Sequence, residues 1–252
     1  MQELLRFVEQ PRECSYLPRE IAALEIRGVS AMDPLEYADL LARGYRRFGW
    51  QVFRPECPNC TKCRSVRIPV QQFIPSGSER RILRKNQSIR AELHSLFVSR
   101  EHIALYNAYH RFMHGHRSWP AQHMSAAAYH QEFLSGASGF GRQWLYFDGD
   151  RLVGVSLMDQ VLGAISLVYF FYDPAWRAKS PGTFSILNQL LYAKSAGLEY
   201  AYLGYWIEEC ASMSYKGRFR PREVLARYPA EDESPVWLSD ATAGSLAEVA
   251  EA

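Results

Sequence analysis

The sequence lacks a strong net charge and has no apolar run long enough to cross a membrane. Its 29 lysines and arginines stand against 27 acidic residues, a formal charge of +2. A wholly basic nucleic-acid coat is therefore excluded, and any polyanion must meet a local patch. The longest apolar run, at 164–172, is interrupted by one serine and falls far short of the ~20 residues of a membrane helix. We expect no contact with a membrane.

Three catalytic signatures are missing as well: a nucleophile elbow, a phosphate-binding P-loop and a dinucleotide glycine fingerprint. Their absence argues against hydrolase, kinase and dehydrogenase functions. There are only five cysteines, and the first 12 residues are too charged for a signal peptide. We therefore expect a reducing cytoplasm, in which thiols stay free or bind metal.

What is present begins with the cysteines. Cys57, Cys60 and Cys63 follow one another at a repeated two-residue gap, and Cys14 lies upstream. Four thiols at such spacing could hold one soft metal ion. A redox pair or buried structural thiols would explain the same pattern.

Positive charge is concentrated directly after the cysteines. Residues 64–85 contain six lysines and arginines and one glutamate. A short helix predicted at 78–87 carries Arg80, Arg81, Arg84 and Lys85. Such a cluster favours binding of a phosphate backbone, and the alternative is a solvated helix face.

The second half of the chain predicts an acyltransferase fold. Residues 143–160 form a hairpin around Asp148-Gly149-Asp150, since Asp-Gly is a strong turn signal. A strand at 164–172, apolar enough to be buried on both faces, a helix at 183–196 and a strand at 200–203 follow. This order matches the GNAT class. We predict an α/β (α+β) protein with a cysteine-containing α+β domain at 1–70, a GNAT-like domain at 71–238 and a flexible tail at 239–252.

The loop at 177–183 lies where GNAT acetyltransferases bind the pyrophosphate of coenzyme A through backbone amides. That task needs small residues and free N–H groups ahead of a helix. Here Ser180 replaces the first glycine and Pro181 removes an amide. We expect impaired pyrophosphate binding and a different donor, although Pro-Gly could simply start a helix.

Three separated motifs carry a family resemblance: the cysteine segment, the stretch Phe73 to Gln87, and Tyr202-Leu203-Gly204-Tyr205-Trp206 continuing to Phe219. Together they resemble the bacterial aspartate/glutamate leucyltransferases, relatives of the eukaryotic arginyl-tRNA–protein transferases. The resemblance runs from about Cys14 to about Tyr228. It implies a GNAT-like fold and transfer of leucine from leucyl-tRNA to proteins that begin with Asp or Glu, which marks them for degradation.

The resemblance also implies site residues. The catalytic candidates are Tyr205, Glu208, Tyr215 and Lys216, with Glu208 or Glu209 as general base and a tyrosine polarising the ester. Trp206 and Arg218 would bind the terminal adenosine and its phosphates, beside the cations at 80–85. Lys216 or Arg218 could equally bind the carboxylate of an acidic acceptor.

The same resemblance places Cys14, Cys57, Cys60 and Cys63 in a region where eukaryotic relatives hold a metal or iron–sulfur centre. Leu17 stands where those relatives have a further cysteine. The chemistry itself requires no cofactor, and the four thiols could hold a structural or regulatory zinc or iron–sulfur centre.

Three alternatives stay open. Arginyl transfer differs from leucyl transfer only in the donor pocket. A coenzyme A-dependent N-acetyltransferase would need the loop at 177–183 to bind pyrophosphate. A zinc-knuckle RNA-binding module would need only the cysteine segment.

Overall fold

The computed structural model describes residues 1–137 and 139–240, so the part of the predicted tail beyond residue 240 lies outside the described residues. The strands are β1 (Gln2–Val8), β2 (Arg12–Glu13), β3 (Ile21–Ala22), β4 (Leu24–Ala31), β5 (Arg46–Phe48), β6 (Gln51–Pro55), β7 (Arg64–Pro69), β8 (Ile89–Ser95), β9 (Gly141–Asp148), β10 (Arg151–Val161), β11 (Ala164–Tyr172), β12 (Tyr200–Trp206), β13 (Glu223–Leu225) and β14 (Trp237–Ser239). The helices are α1 (Pro34–Ala42), α2 (Gly77–Lys85), α3 (Arg100–Arg117), α4 (Ala126–Tyr129) and α5 (Pro181–Ser195). Single turns add Val70–Gln72, His130–Leu134, Pro174–Lys179 and Ser214–Arg218.

Local signals in the sequence set several of these boundaries. Asp33 caps α1 by accepting the backbone N–H groups of Leu35 and Glu36, and Pro34 occupies the first helical position. Ser76 caps α2 in the same way, with the Glu79 side chain returning to its amide. The turn between β9 and β10 contains Gly149 at φ 62°, so the predicted hairpin is confirmed.

The strands form two main sheets. A four-stranded sheet near the N-terminus has the order β1-β4-β6-β5. An eight-stranded sheet has the order β14-β13-β7-β12-β11-β10-β9-β8. Its β9–β10–β11 meander, the crossover through α5 and the parallel strand β12 make up the predicted GNAT-like core.

Strand β7 leaves the cysteine segment and enters the large sheet, where it pairs antiparallel with both β12 and β13. The predicted domain boundary after residue 70 therefore assigns β7 to the first domain, although the strands that pair with β7 belong to the second. Val66 and Ile68 of β7 are fully buried in the main core. The exact domain limits stay a prediction.

Both faces of the large sheet are covered. Phe171 of β11 packs among the residues under α3, whereas its neighbour Phe170 packs towards α5, as alternation along a strand requires. Tyr37 of α1 fills a third cluster between the two sheets. Within the described ranges, no helix is both long and apolar enough to cross a membrane.

Candidate active site

A cleft opens in the large sheet where β11 and β12 diverge. The two strands pair only from Ala164–Tyr200 to Ser166–Tyr202. Beyond that point Leu167 to Phe170 stay half-buried although they lie in a central strand. The expectation that this strand is buried on both faces is therefore wrong, because β12 no longer covers its edge.

The N-terminal sheet forms one wall of this cleft. Arg46 lies opposite Phe53 in the β5–β6 pair, and Phe48 lies two residues further along the same face. Phe48 is 36% exposed, with its ring 5.8 Å from Phe133. Phe133 in turn stacks on Tyr169 of β11 with centroids 5.3 Å apart. The result is an aromatic wall (Phe48, Phe53, Phe133, Tyr169) next to one cation.

Arg46 reaches from this wall into the apex of the cleft. Its guanidinium donates to the Ser166 hydroxyl at 3.3 Å and to the carbonyl oxygen of Leu167. It lies so close to Gly204 that a Cβ there would stand 2.9 Å from Arg46 Cζ. Gly204, at φ 84°, therefore leaves room for the guanidinium between the diverging strands. Sequence reasoning missed Arg46, because no motif surrounds it.

Lys216 approaches the same apex from the other side. Its Nζ donates to the carbonyl oxygen of Tyr205 at 2.8 Å. Burial, reinforced by the nearby charge of Arg46, lowers the pKa of Lys216 to about 7. At neutral pH much of this amine is therefore unprotonated. The structure thus brings a predicted catalytic lysine to the point where the sheet opens.

The two predicted tyrosines have different surroundings. The Tyr205 hydroxyl donates to the carbonyl of Phe53 at 2.9 Å, which ties β12 to the N-terminal sheet. Burial raises the pKa of Tyr205 well above its ordinary value. Tyr215 precedes Lys216 and is half-buried, and burial raises its pKa too. Both phenols therefore remain protonated donors at neutral pH.

Trp206 is buried, so most of its ring is not free as a stacking platform. Its indole N–H donates to the carbonyl of Ser214 at 3.3 Å. The guanidinium of Arg222 covers the ring 4.2 Å from its centroid. These contacts hold the turn Ser214–Arg218, and with it Lys216, against the end of β12.

The other charged candidates after β12 are exposed. Glu208 and Glu209 both lie in solvent, and Glu209 forms an ion pair with Lys62 at 3.7 Å. Arg218 is exposed as well. Of the four cations at 216–222, Arg220 and Arg222 are paired with Asp240. The turn therefore retains less free positive charge than its sequence indicates.

The predicted phosphate-binding cations project together from α2. Arg80, Arg81, Arg84 and Lys85 are all exposed. Ile82 and Leu83, on the other side of the helix, pack against the core. Within residues 1–137 and 139–240, none of the four cations forms an ion pair. We call this group the α2 basic face.

Asn86 joins α2 to the segment that precedes α5. Its side-chain amide donates to the carbonyl of Lys179 at 2.9 Å, and its oxygen accepts the Trp176 indole N–H at 2.8 Å. The backbone of Lys179 therefore lies beside α2, whereas the guanidinium of Arg177 lies 5.9 Å from the centre of the Phe112 ring on α3. Trp176 in turn packs near Phe170 at the end of β11. A phosphate chain bound here would lead to the cleft.

The loop before α5 is a poor pyrophosphate cradle. Ser180 adopts a left-handed conformation, φ 57° and ψ 54°, and its amide already donates to the carbonyl of Arg177 at 3.1 Å. Pro181 at the first helical position has no N–H. Two of the amides that would meet a diphosphate are thereby lost, as the sequence predicted.

The cysteines lie near one another without forming a metal site. All five are reduced, and Cys14 and Cys63 pack against Cys210. Burial raises the pKa of Cys63, with Cys57 next among the causes. In the part of the chain that the structure describes, no three His, Cys, Asp or Glu residues are arranged to hold a metal ion. The donor set does not fit a metal in this conformation. Metal binding by Cys14, Cys57, Cys60 and Cys63 stays a prediction, and no step below uses one.

Comparison with known proteins adds an independent finding. Models described as the N terminus and the C terminus of arginine-tRNA-protein transferase match residues 12–81 and 101–226. The chain is 38% identical to the aspartate/glutamate leucyltransferase of Helicobacter hepaticus, over 93% of this chain and 97% of that protein. It is also 38% identical to the same-named protein of Pseudomonas fluorescens, over 89% and 96%. Among solved structures it is similar to FemX, with 8% identity, a TM-score of 0.46, and 93% of this chain and 82% of that chain covered.

Proposed function

Because the chain belongs to the arginine-tRNA-protein transferase family, as one of its aspartate/glutamate leucyltransferases, we propose that it transfers leucine from leucyl-tRNA to proteins that begin with aspartate or glutamate. Such a protein would be marked for degradation by the added leucine. One observation carries the proposal. The cleft between β11 and β12 has a basic face on the donor side. At its apex lie Arg46 and Lys216, which form no ion pair with an acidic side chain within residues 1–137 and 139–240.

The donor is expected to enter from the α2 basic face. Exposed cations attract a phosphate backbone at long range. They position the nucleic acid through its phosphates and make no contacts specific to its bases. Lys179 continues from that surface towards α5, where related acyltransferases hold a diphosphate. The tRNA 3′ end would then pass Trp176 and Phe170 to reach the opening of the sheet.

The reaction converts an ester into an amide. The α-amine of the acceptor attacks the leucyl carbonyl carbon, the C–N bond forms, and the bond to the tRNA 3′-oxygen breaks. The amine loses one proton and the leaving oxygen gains one. Because the aminoacyl ester is already activated, holding both reactants together supplies much of the rate.

Lys216 is the best-placed base for the amine proton. A base works best when its pKa lies near the working pH, and that of Lys216 lies at about 7. Its bond to the Tyr205 carbonyl fixes the amine at the cleft apex. Tyr215, protonated and adjacent, is a candidate donor to the ester or to the leaving oxygen. Glu208 and Glu209, the other candidates for the base, are exposed to solvent.

The aromatic wall supports leucine over arginine as the group transferred. Phe48, Phe53 and Tyr169 offer apolar surface that an aliphatic side chain can cover, and the buried Phe133 supports the rings of Phe48 and Tyr169. A guanidinium would lose its hydration against the same rings without gaining a carboxylate from them. Arginyl-tRNA is therefore the second donor to test.

The decisive experiment combines the purified protein with leucyl-tRNA or arginyl-tRNA and peptides that begin with Asp, Glu or Ala. We expect transfer of leucine to the Asp and Glu peptides, with little transfer to the Ala peptide. Acetyl-coenzyme A should give no acetylated peptide, since two of the amides that would hold its pyrophosphate are lost. Acetylation without aminoacyl transfer would refute the proposal.

A further inference from the structure

Arg46 differs from three other arginines that the fold encloses. Arg47 pairs with Asp159 at 2.8 Å, Arg54 with Glu25 at 2.7 Å and Arg67 with Glu223 at 2.7 Å. Arg46 is half-buried, yet over the described ranges its hydrogen bonds go only to the uncharged oxygens of Ser166 and Leu167. An enclosed charge normally has a partner of opposite sign. Here that partner is missing from the fold itself.

The surroundings of Arg46 are suited to binding an anion from a substrate. Lys216 lies across the apex, and its pKa is lowered first by burial and then by Arg46. A guanidinium carries five N–H donors, and the two contacts to Ser166 and Leu167 use only two of them. Gly204, which has no side chain, lets the guanidinium lie close to its backbone.

We propose that Arg46 binds the side-chain carboxylate of the acceptor's first residue and so selects aspartate and glutamate. The inference rests on the proposed function and adds a residue that determines specificity. The carboxylate would supply the missing negative charge through charge-assisted hydrogen bonds. The same residue's α-amine would then face Lys216 on the other side of the apex. Recognition would thus use the guanidinium of Arg46 and proton removal the neutral amine of Lys216, at opposite ends of one amino acid.

The test compares peptides that begin with Asp or with its uncharged isostere Asn. In Arg46→Gln, kcat/KM for the Asp peptide should fall by about 10- to 100-fold, the effect of losing a hydrogen bond between charged groups. The rate for the Asn peptide should change by less than about threefold, because Gln keeps donors for a neutral amide. A merely structural role would lower both rates alike and leave the Asp-to-Asn ratio unchanged. That result would overturn the inference.

Arg64→Gln is the matched control. Arg64 is another half-buried arginine, on β7, and it too forms no ion pair within the described residues. It lies near Arg222 and away from Arg46 in the sheet. The Asp-to-Asn ratio of this variant should equal that of the wild type. An equal decrease of the Asp-to-Asn ratio in Arg46→Gln and Arg64→Gln would also contradict a role of Arg46 in selecting the acceptor.

Two further variants protect the test against misfolding of Arg46→Gln. Arg46→Lys keeps the charge but not the planar fork, so it should retain a reduced preference for Asp. Gly204→Ala should lower the Asp-to-Asn ratio by displacing the guanidinium. Unchanged ratios in both would refute the inference even if Arg46→Gln fails to fold.

If the wild type transfers leucine to no peptide, the proposed function fails and the inference fails with it. Leucine transfer with equal rates on Asp and Asn peptides refutes the inference alone.

Discussion

Two groups of cations form no ion pairs with the acidic residues that the structure describes, and their surroundings differ. The α2 basic face is exposed on one side of an amphipathic helix. Arg46 and Lys216 are half-buried at the apex of the cleft. Charges in water retain their hydration and act at long range, with an effect that salt screens. Enclosed charges lose hydration and act on one another directly, which is why burial, and then Arg46, lowers the pKa of Lys216 to about 7. The first arrangement suits a polyanion, and the second suits one small substrate.

The Arg47–Asp159 ion pair is the standard against which both groups can be compared. Arg47 is a buried arginine outside the cleft that has an acidic partner. The two side chains are 1% and 0% exposed. The guanidinium also donates to the carbonyls of Gly49 and Ser135.

Asp159→Asn should therefore produce the largest effect of all, since it turns a paired arginine into an unpaired one. Removing one partner from a buried ion pair destabilises a protein by about 3–5 kcal/mol. Urea unfolding followed by circular dichroism measures this loss. Arg46→Gln, which removes a charge that has no partner, should lower the free energy of unfolding by much less. Equal losses would show that Arg46 is as structural as Arg47.

Lys216→Met should have the next largest effect, this time on chemistry. Removing a general base lowers the rate by about 100-fold or more, with KM for leucyl-tRNA nearly unchanged. The wild-type rate should rise with pH up to about 7 and then level off, as the amine loses its proton.

Lys194→Met is the matched control for that variant. The Lys194 ammonium also donates to a backbone carbonyl, that of Phe73, at 2.8 Å. It lies on α5 outside the cleft, so its removal should leave the rate within about threefold of wild type, as for surface changes away from a site. A full rate in Lys216→Met would remove Lys216 from the mechanism.

Neutralising the α2 basic face should have a smaller effect of another kind. Changing Arg80, Arg81, Arg84 and Lys85 together to Gln should raise KM for leucyl-tRNA by about tenfold at low salt, with a shallower dependence on salt. The KM for the acceptor peptide should not move. Arg100→Gln, an exposed cation at the start of α3, is the control. An equal rise in the KM for both substrates would contradict the division of tasks between the two groups.

The sequence predicted what depends on neighbours in the chain. Asp33-Pro34 predicted α1, the Asp-Gly turn predicted the hairpin, and the spacing of cations predicted one exposed basic face. It also named Lys216 as a candidate site residue, and the structure places that lysine at the apex of the cleft. These features arise within a few residues of one another, so local physical chemistry determines them.

The apex of the cleft could not be predicted in this way. Arg46 meets Leu167 only because β5 packs against a strand far along the chain. The low pKa of Lys216 needs burial and that same arginine. The sequence suggested Tyr205 as a catalytic residue, yet its hydroxyl donates a hydrogen bond to the Phe53 carbonyl. Contacts between residues far apart in the chain produce no local sequence pattern from which they could be predicted.

The last prediction concerns stability and tests whether Lys216 is truly enclosed. Its folded pKa of about 7 lies below the ordinary value of 10.5, so between those pH values the unfolded chain binds more protons than the folded one. The contribution of Lys216 to stability therefore rises with pH from about 7 to 10.5, and its full penalty applies below pH 7. Lys216→Met removes that penalty. Its Tm relative to wild type should be highest at pH 6 and should decline towards pH 9. A difference in Tm that is constant across this range would mean that Lys216 is as well hydrated as the cations of α2, and the contrast between the two groups would disappear.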